Sequence, residues 1–156
     1  MNRASYEHTQ QGWPMRLAFG AAALLFVTMG ALQPQEAPGL PRLALWLGAA
    51  AVLALGWLWS SLTVRIDGVA LRARFGLGWP RTTIPLADIA SVEVTRTTFW
   101  SGWGLHYTRR GWLYNVAGLD AVIVVRKDGR AVLLGTDEPR RLKAALERAL
   151  AGSHRR

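Results

Sequence analysis

The sequence predicts a two-helix transmembrane hairpin followed by an all-β domain that one C-terminal amphipathic helix covers. Three observations predict it. Two long apolar segments, Leu17 to Leu32 and Leu43 to Leu62, stand at the front of the chain. After them, apolar and polar residues alternate with the period of two that half-buried strands require. Near the end, Leu142, Ala145, Leu146, Ala149 and Leu150 fall at the i, i+3, i+4 spacing of a helix with one apolar stripe. At 156 residues there is room for one domain of ordinary size beside a short membrane section. The expected divisions are an N-terminal tail over 1–12, two membrane helices within 13–63 (at 15–32 and 43–62), a soluble domain over 64–151 and a basic tail over 152–156.

The second apolar segment carries no charge and has the roughly 20 residues needed to cross a hydrocarbon core of about 30 Å. The first is shorter between charges, but Trp13, Pro14 and Met15 extend it through the interfacial region that tryptophan favours. A secretory signal is the competing interpretation, since Arg3 and Arg16 precede an apolar core. Met29 and Ala31 make a poor cleavage pair, and the run exceeds a usual signal core, so a retained helical hairpin is expected. The connecting loop Gln33 to Arg42 holds three prolines and one basic residue, whereas Arg65, Arg72, Arg74 and Arg81 crowd the segment after the second span. By the positive-inside tendency that end is cytoplasmic. The expectation is a multi-pass protein of the inner (cytoplasmic) membrane with its domain in the cytoplasm. Ala44, Gly48, Val52 and Gly56 form a small-residue ridge that lets two helices approach closely, either within the hairpin or toward a partner.

The net charge is +9, and from Val64 onward sixteen basic residues face eight acidic ones, so the surplus belongs to the domain. A basic domain tethered beside an anionic leaflet gains about 1 kcal/mol per Lys or Arg held near the surface. No nucleic-acid motif accompanies the charge, so no nucleic-acid partner is expected. The absence of cysteine excludes disulfides, thiol nucleophiles and thiolate metal sites. His8, His106 and His154 are scattered, two of them in expected tails, and match no metal spacing. Glycine-rich phosphate loops, serine elbows and paired carboxylates are missing, so the sequence argues against an enzyme and implies neither cofactor nor metal.

Along the domain, Leu62, Val64 and Ile66 alternate with polar residues, and after Asp67-Gly68 the pattern resumes at Val69, Leu71, Ala73 and Phe75. A two-residue Asp-Gly loop would pair Ile66 with Val69 and Val64 with Leu71. Gly76 to Pro80 breaks the strand, Arg81 to Pro85 forms a third, Leu86 to Asp88 makes a single turn, and Ile89 to Thr98 is again extended. Asp128-Gly129 joins a second tight hairpin whose strands, Ala121 to Arg126 and Ala131 to Leu134, are apolar on both faces and so belong near the middle of a layered structure. Thr136-Asp137-Glu138-Pro139 supplies a cap, acidic residues and an early proline, the signals of a helix start.

The stretch Thr83-Ile84-Pro85-Leu86-Ala87-Asp88-Ile89-Ala90-Ser91-Val92-Glu93-Val94 resembles a strand-turn-strand segment of bacterial pleckstrin-homology-like (PH-like) domains. Arg126 to Arg130, continuing to Leu134-Gly135-Thr136-Asp137-Glu138-Pro139, is similar to their last hairpin and the start of their helix. With the preceding membrane helices, the chain resembles the small membrane-anchored bacterial PH-domain proteins over Leu43 to Leu150. The resemblance implies a barrel of five to seven antiparallel strands, used for interaction at the membrane, and brings no catalytic residues with it. Arg65, Arg72 and Arg74 invite comparison with eukaryotic PH domains that bind phosphoinositides, but a two-residue first loop leaves no cradle for a multiply phosphorylated headgroup.

The main candidate for binding is Phe99 to Val116, which gathers aromatic rings, glycines, one histidine and two arginines. Trp103, His106, Arg109, Arg110 and Trp112, with Arg72 and Arg74 on the first hairpin, are the expected binding residues. Arginine pairs with carboxylate or phosphate, and aromatic faces take cations or flat groups. Alternatively the segment is a structural hairpin with Thr108 to Gly111 at its tip, its aromatics filling the core or the membrane interface. The expected function is a non-catalytic membrane-anchored interaction module for an unknown protein partner, an anionic lipid surface, or both. The alternative is an auxiliary subunit of a larger membrane transporter or envelope-enzyme complex, docked through its membrane helices.

Overall fold

The chain reaches its first helix from a strand. Tyr6–Gln11 forms β1, Trp13–Ala31 forms α1, Gly39–Leu58 forms α2 and Ser61–Ile66 forms β2. β1 pairs antiparallel with β2, from Tyr6 opposite Ile66 to Gln11 opposite Ser61. The two helices therefore leave and rejoin one sheet, and the Gly12 N–H donates to the Ser60 carbonyl at 2.8 Å where they do so. The computed structural model describes residues 6–34, 39–98 and 102–153.

Both helices are long and apolar enough to cross a bilayer. They pack on each other through glycine: a Cβ on Gly48 would lie 2.8 Å from the Phe26 ring, and one on Gly56 would lie 2.7 Å from the Phe19 Cβ. The small-residue ridge is thus filled by the hairpin's own phenylalanines. Leu17, Leu24, Leu43 and Leu47 stay exposed on the outer faces.

Residues 6–11, expected in a tail, are an edge strand. Its polar sequence hid it, because its inward positions are Tyr6, His8 and Gln10 rather than aliphatics. Gln10 is buried and its Nε2 donates to the Ala117 carbonyl at 2.9 Å. His8 Nε2 lies 2.6 Å from Asp137 Oδ1, tying β1 to the segment that leads into the C-terminal helix. The second helix spans Gly39–Leu58 rather than 43–62. It stops early because Ser60 and Ser61 are claimed by the sheet: their carbonyls accept from Gly12 and Gly76.

β2 continues into β3 (Ala70–Phe75) and β4 (Arg81–Pro85), giving a sheet of order β1-β2-β3-β4. The first hairpin differs in register from the Asp-Gly expectation. Ile66 faces Leu71 and Val64 faces Ala73, because the Asp67 Oδ1 accepts from the Val69 and Ala70 N–H groups at 2.9 and 2.8 Å and moves the turn one residue along, which shifts the register by two. The shift is even, so the apolar face is preserved. The 3₁₀ turn Leu86–Asp88 then passes the chain to the second sheet.

That sheet contains β5 (Ile89–Arg96), β6 (Gly104–Thr108), β7 (Gly111–Asn115), β8 (Asp120–Arg126) and β9 (Ala131–Gly135), in the order β5-β8-β9-β7-β6. Here β7 and β9 run parallel, unlike the antiparallel set expected. The apolar strands β8 and β9 do lie inside the sheet. Gly129, at φ +82°, closes their turn. Among the described residues no ladder joins the two sheets, so they stack around a core and do not close into a barrel. The core runs from Leu62, Ile66, Leu71 and Phe75 on the first sheet to Tyr114, Val122, Val124 and Leu134 on the second. α3 (Pro139–Ser153) lays Leu142, Ala145 and Leu146 over it, the apolar stripe expected. Trp59, Phe75 and Tyr114 make a chain of ring contacts at 4.6 and 5.8 Å that links the end of α2 to both sheets.

Burial pushes the Tyr6 hydroxyl up to about 12, with the Glu138 carboxylate adding to the effect. Its folded value lies above its unfolded one, so its contribution to stability is complete below pH 10 and is lost as pH rises through about 12. A Tyr6→Phe chain is expected to lose less of its thermal stability across that interval than the parent, measured in detergent as a function of pH.

Candidate functional site

Two arginine-lined recesses lie on different sheets of the domain. The first lies on the outer face of the first sheet, where strand alternation turns Arg65, Arg72, Arg74 and Arg81 to the same side. Register sets them in rows: Arg65 beside Arg72 beside Thr83, and Thr63 beside Arg74 beside Arg81. They line a recess of about 560 Å³ with Thr82 and Thr83. Arg65 pairs with Glu7 at 3.8 Å and Arg72 with Asp67 at 3.4 Å, while Arg74 and Arg81 have no ion pair among the described residues. The Ala70 and Val69 N–H groups, with Arg72 nearby, hold the Asp67 carboxyl below its ordinary value.

The second recess is made by the β6–β7 hairpin. Its two-residue tip, Arg109-Arg110, follows from Thr108 opposite Gly111. Gly111 sits at φ +126°, and a Cβ there would come within 2.0 Å of the Ala131 carbonyl oxygen, so only glycine fits. The Thr108 hydroxyl donates to the Gly111 carbonyl at 2.8 Å and braces the tip. Arg110 Nη1 donates to the Thr95 hydroxyl of β5 at 2.8 Å. On a flat sheet β7 and β5 would be three strand spacings apart, about 14 Å, so the sheet curls and brings the tip back over its own face. The curl encloses about 330 Å³ lined by Arg96, Thr97, Thr98, Thr108, Arg109 and Arg110 over the floor residue Leu133. Arg96 is paired with Asp120 at 3.1 Å, and Arg109 has no partner among the described residues.

The structure therefore brings Arg109 and Arg110 together and places Arg72 and Arg74 in a separate recess. Trp103 lies in the bend before β6, and neither it nor Trp112 lines either recess. Trp112 makes an edge-on contact with Tyr107 at 5.5 Å on an exposed face of the hairpin. His106 faces the other way, opposite Leu113, and its buried Nε2 has no hydrogen-bond partner among the described residues. Phe99, Trp100 and Ser101 lie outside the described residues, as does His154. Sequence reasoning missed Arg96, Thr97, Thr98 and Leu133 of the second recess, since only the curl joins β5 to the hairpin. It passed over Arg81, whose position opposite Arg74 could be found from the alternation of the third strand. Among the described residues no three His, Asp or Glu side chains gather as a metal site would require.

Compared with known proteins, the chain matches no protein-family model and no curated protein.

Two outcomes test this geometry. Gly111→Ala should cost at least the roughly 1–3 kcal/mol of a strained backbone position, read as a lowered unfolding midpoint. The Asp67 contribution is complete above its ordinary value of 3.8 and is lost as pH falls below it, so Asp67→Asn should flatten the acid side of the stability profile.

Proposed function

We propose that the chain is a non-catalytic interaction module anchored in a membrane by its helical hairpin, which takes a carboxylate of a protein partner in the β6–β7 recess. The observation that carries this is the lining of that recess: arginines and threonines over Leu133, with no acidic side chain among the described residues that line it. Arginine forks match carboxylates bidentately, and the Thr95 contact holds one guanidinium in place before any ligand arrives. The expected resemblance to PH-like domains remains part of the proposal. It is supported by two sheets around one core with a single C-terminal helix over it.

In this reading both helices span the inner membrane and the domain faces the cytoplasm. Pairing of β1 with β2 puts the segments before and after the hairpin on one side, and Arg65, Arg72, Arg74 and Arg81 lie on that side, as the positive-inside tendency favours. Docking of an auxiliary subunit through its helices is the weaker alternative, because Gly48 and Gly56 already receive Phe26 and Phe19 of the same chain.

Affinity purification from membranes in mild detergent tests the module. A specific protein should co-purify with the intact chain, lose most of its recovery with Arg109→Ala/Arg110→Ala, and keep it with Arg140→Ala on the exposed side of α3. Equal recovery with both variants would sink the assignment of the recess. Replacing Trp103 and Trp112 as well shows whether the aromatic face contributes.

A further inference from the structure

We infer that the β3–β4 turn is a second contact with the bilayer: Leu77 and Trp79 seat in its interface, and Arg74 and Arg81 hold an anionic lipid phosphate between them. The inference rests on the membrane-anchored reading above and adds a place and a ligand to it.

The position of the turn carries the argument. Gly76 packs against the last turn of α2 so closely that a Cβ would lie 2.5 Å from the Trp57 carbonyl oxygen and 2.7 Å from that of Leu58. The Gly76 N–H also donates to the Ser61 carbonyl at 2.9 Å. The turn is thus fixed at the height where the helix ends. Trp57 at that end and Trp13 at the start of α1 are both exposed, as tryptophans at a membrane interface are. At the same height the turn offers Leu77, 69 % exposed, and Trp79, 66 % exposed. Two large apolar side chains held open beside a membrane helix have the bilayer as their nearest apolar environment.

Arg74 and Arg81 leave the two sides of this turn and face each other across the ladder. Like charges directly opposite are unfavourable, and among the described residues these two have no carboxylate partner of the kind that Arg65 and Arg72 have. A phosphate between them removes the repulsion and gains charge-assisted hydrogen bonds, with Thr82 and Thr83 in the same lining. The lipid source follows from the apolar pair beside them, which a free phosphate would leave in water.

The natural chain has no cysteine, so single variants can each carry one spin label. The full chain would be placed in vesicles of phosphatidylcholine, or of phosphatidylcholine and phosphatidylglycerol in equal parts. Leu77→Cys reports the turn. Val69→Cys reports the opposite end of the strands, about 17 Å away along β2. Leu47→Cys reports the middle of α2. Collisions with oxygen and with a water-soluble nickel chelate give the depth of each label. The label at 77 should be shielded from nickel and reached by oxygen, more so with phosphatidylglycerol, while the label at 69 stays open to nickel. Arg74→Gln and Arg81→Gln should each weaken the phosphatidylglycerol response on the order of fivefold, with the spectrum at 69 unchanged as a check on folding. Nickel access at 77 equal to that at 69, with 47 shielded, overturns this inference alone. Nickel access at 47 overturns the membrane reading and this inference with it. Reversal of the response by inorganic phosphate at matched ionic strength overturns the lipid assignment.

Discussion

The pairing of β1 with β2 is the constraint from which the rest of the molecule follows. One of these strands precedes the helical hairpin and the other follows it, so their hydrogen bonds fix both ends of the hairpin at one edge of the domain. Each bond contributes only about 1 kcal/mol net, but the set is cooperative with the burial of Gln10 and with the His8 contact to Asp137. Through those two side chains the edge strand also reaches the second sheet and the start of α3. The domain is therefore seated on the helices by structure from both flanks. Removing β1 and α1 would leave β2 as an open edge, the arrangement folded proteins avoid.

The elements with strong local signals were legible from the chain. Alternation located β4 and the turn after it, and the helical stripe placed Leu142 and Leu146, both fully buried. The β6–β7 tip was legible as well, because Thr108 to Gly111 carries its own turn chemistry. β1 escaped notice since its inward side chains are polar or aromatic, and His8 and Gln10 bond to residues more than a hundred positions away. The parallel pairing of β7 with β9 escaped for a related reason: local periodicity reports that a strand exists and which face is apolar, and says nothing of its neighbours. Of the candidate site, Arg109 and Arg110 were legible as a pair. Their recess was not, because it depends on the curl that Arg110 and Thr95 reveal.

Charge is distributed unevenly in a way composition conceals. Asp88, Asp120, Asp128, Glu138 and Glu147 are each matched to a nearby cation. Such exposed pairs are worth about 0–1 kcal/mol, so they contribute less to stability than to neutralising the surface locally. Among the described residues of the domain, Arg74, Arg81 and Arg109 are left without an ion pair, as are Arg110, Lys127, Arg140 and Arg148. Arg74 and Arg81 line one recess, and Arg109 and Arg110 line another.

Arg74 and Arg81 show why this surplus bears on function. Two guanidinium groups a strand spacing apart repel by about 1 kcal/mol even in water, and more where a recess excludes solvent. Folding gains nothing from the arrangement, since either position could carry threonine, as Thr63 and Thr83 do on the neighbouring strands of the same rows. The same repulsion becomes a gain in affinity once an anion enters, because the unbound state is the one that is raised. A site whose charges oppose one another when empty, beside the end of a helix long and apolar enough to cross a bilayer, is one that an anion stabilises.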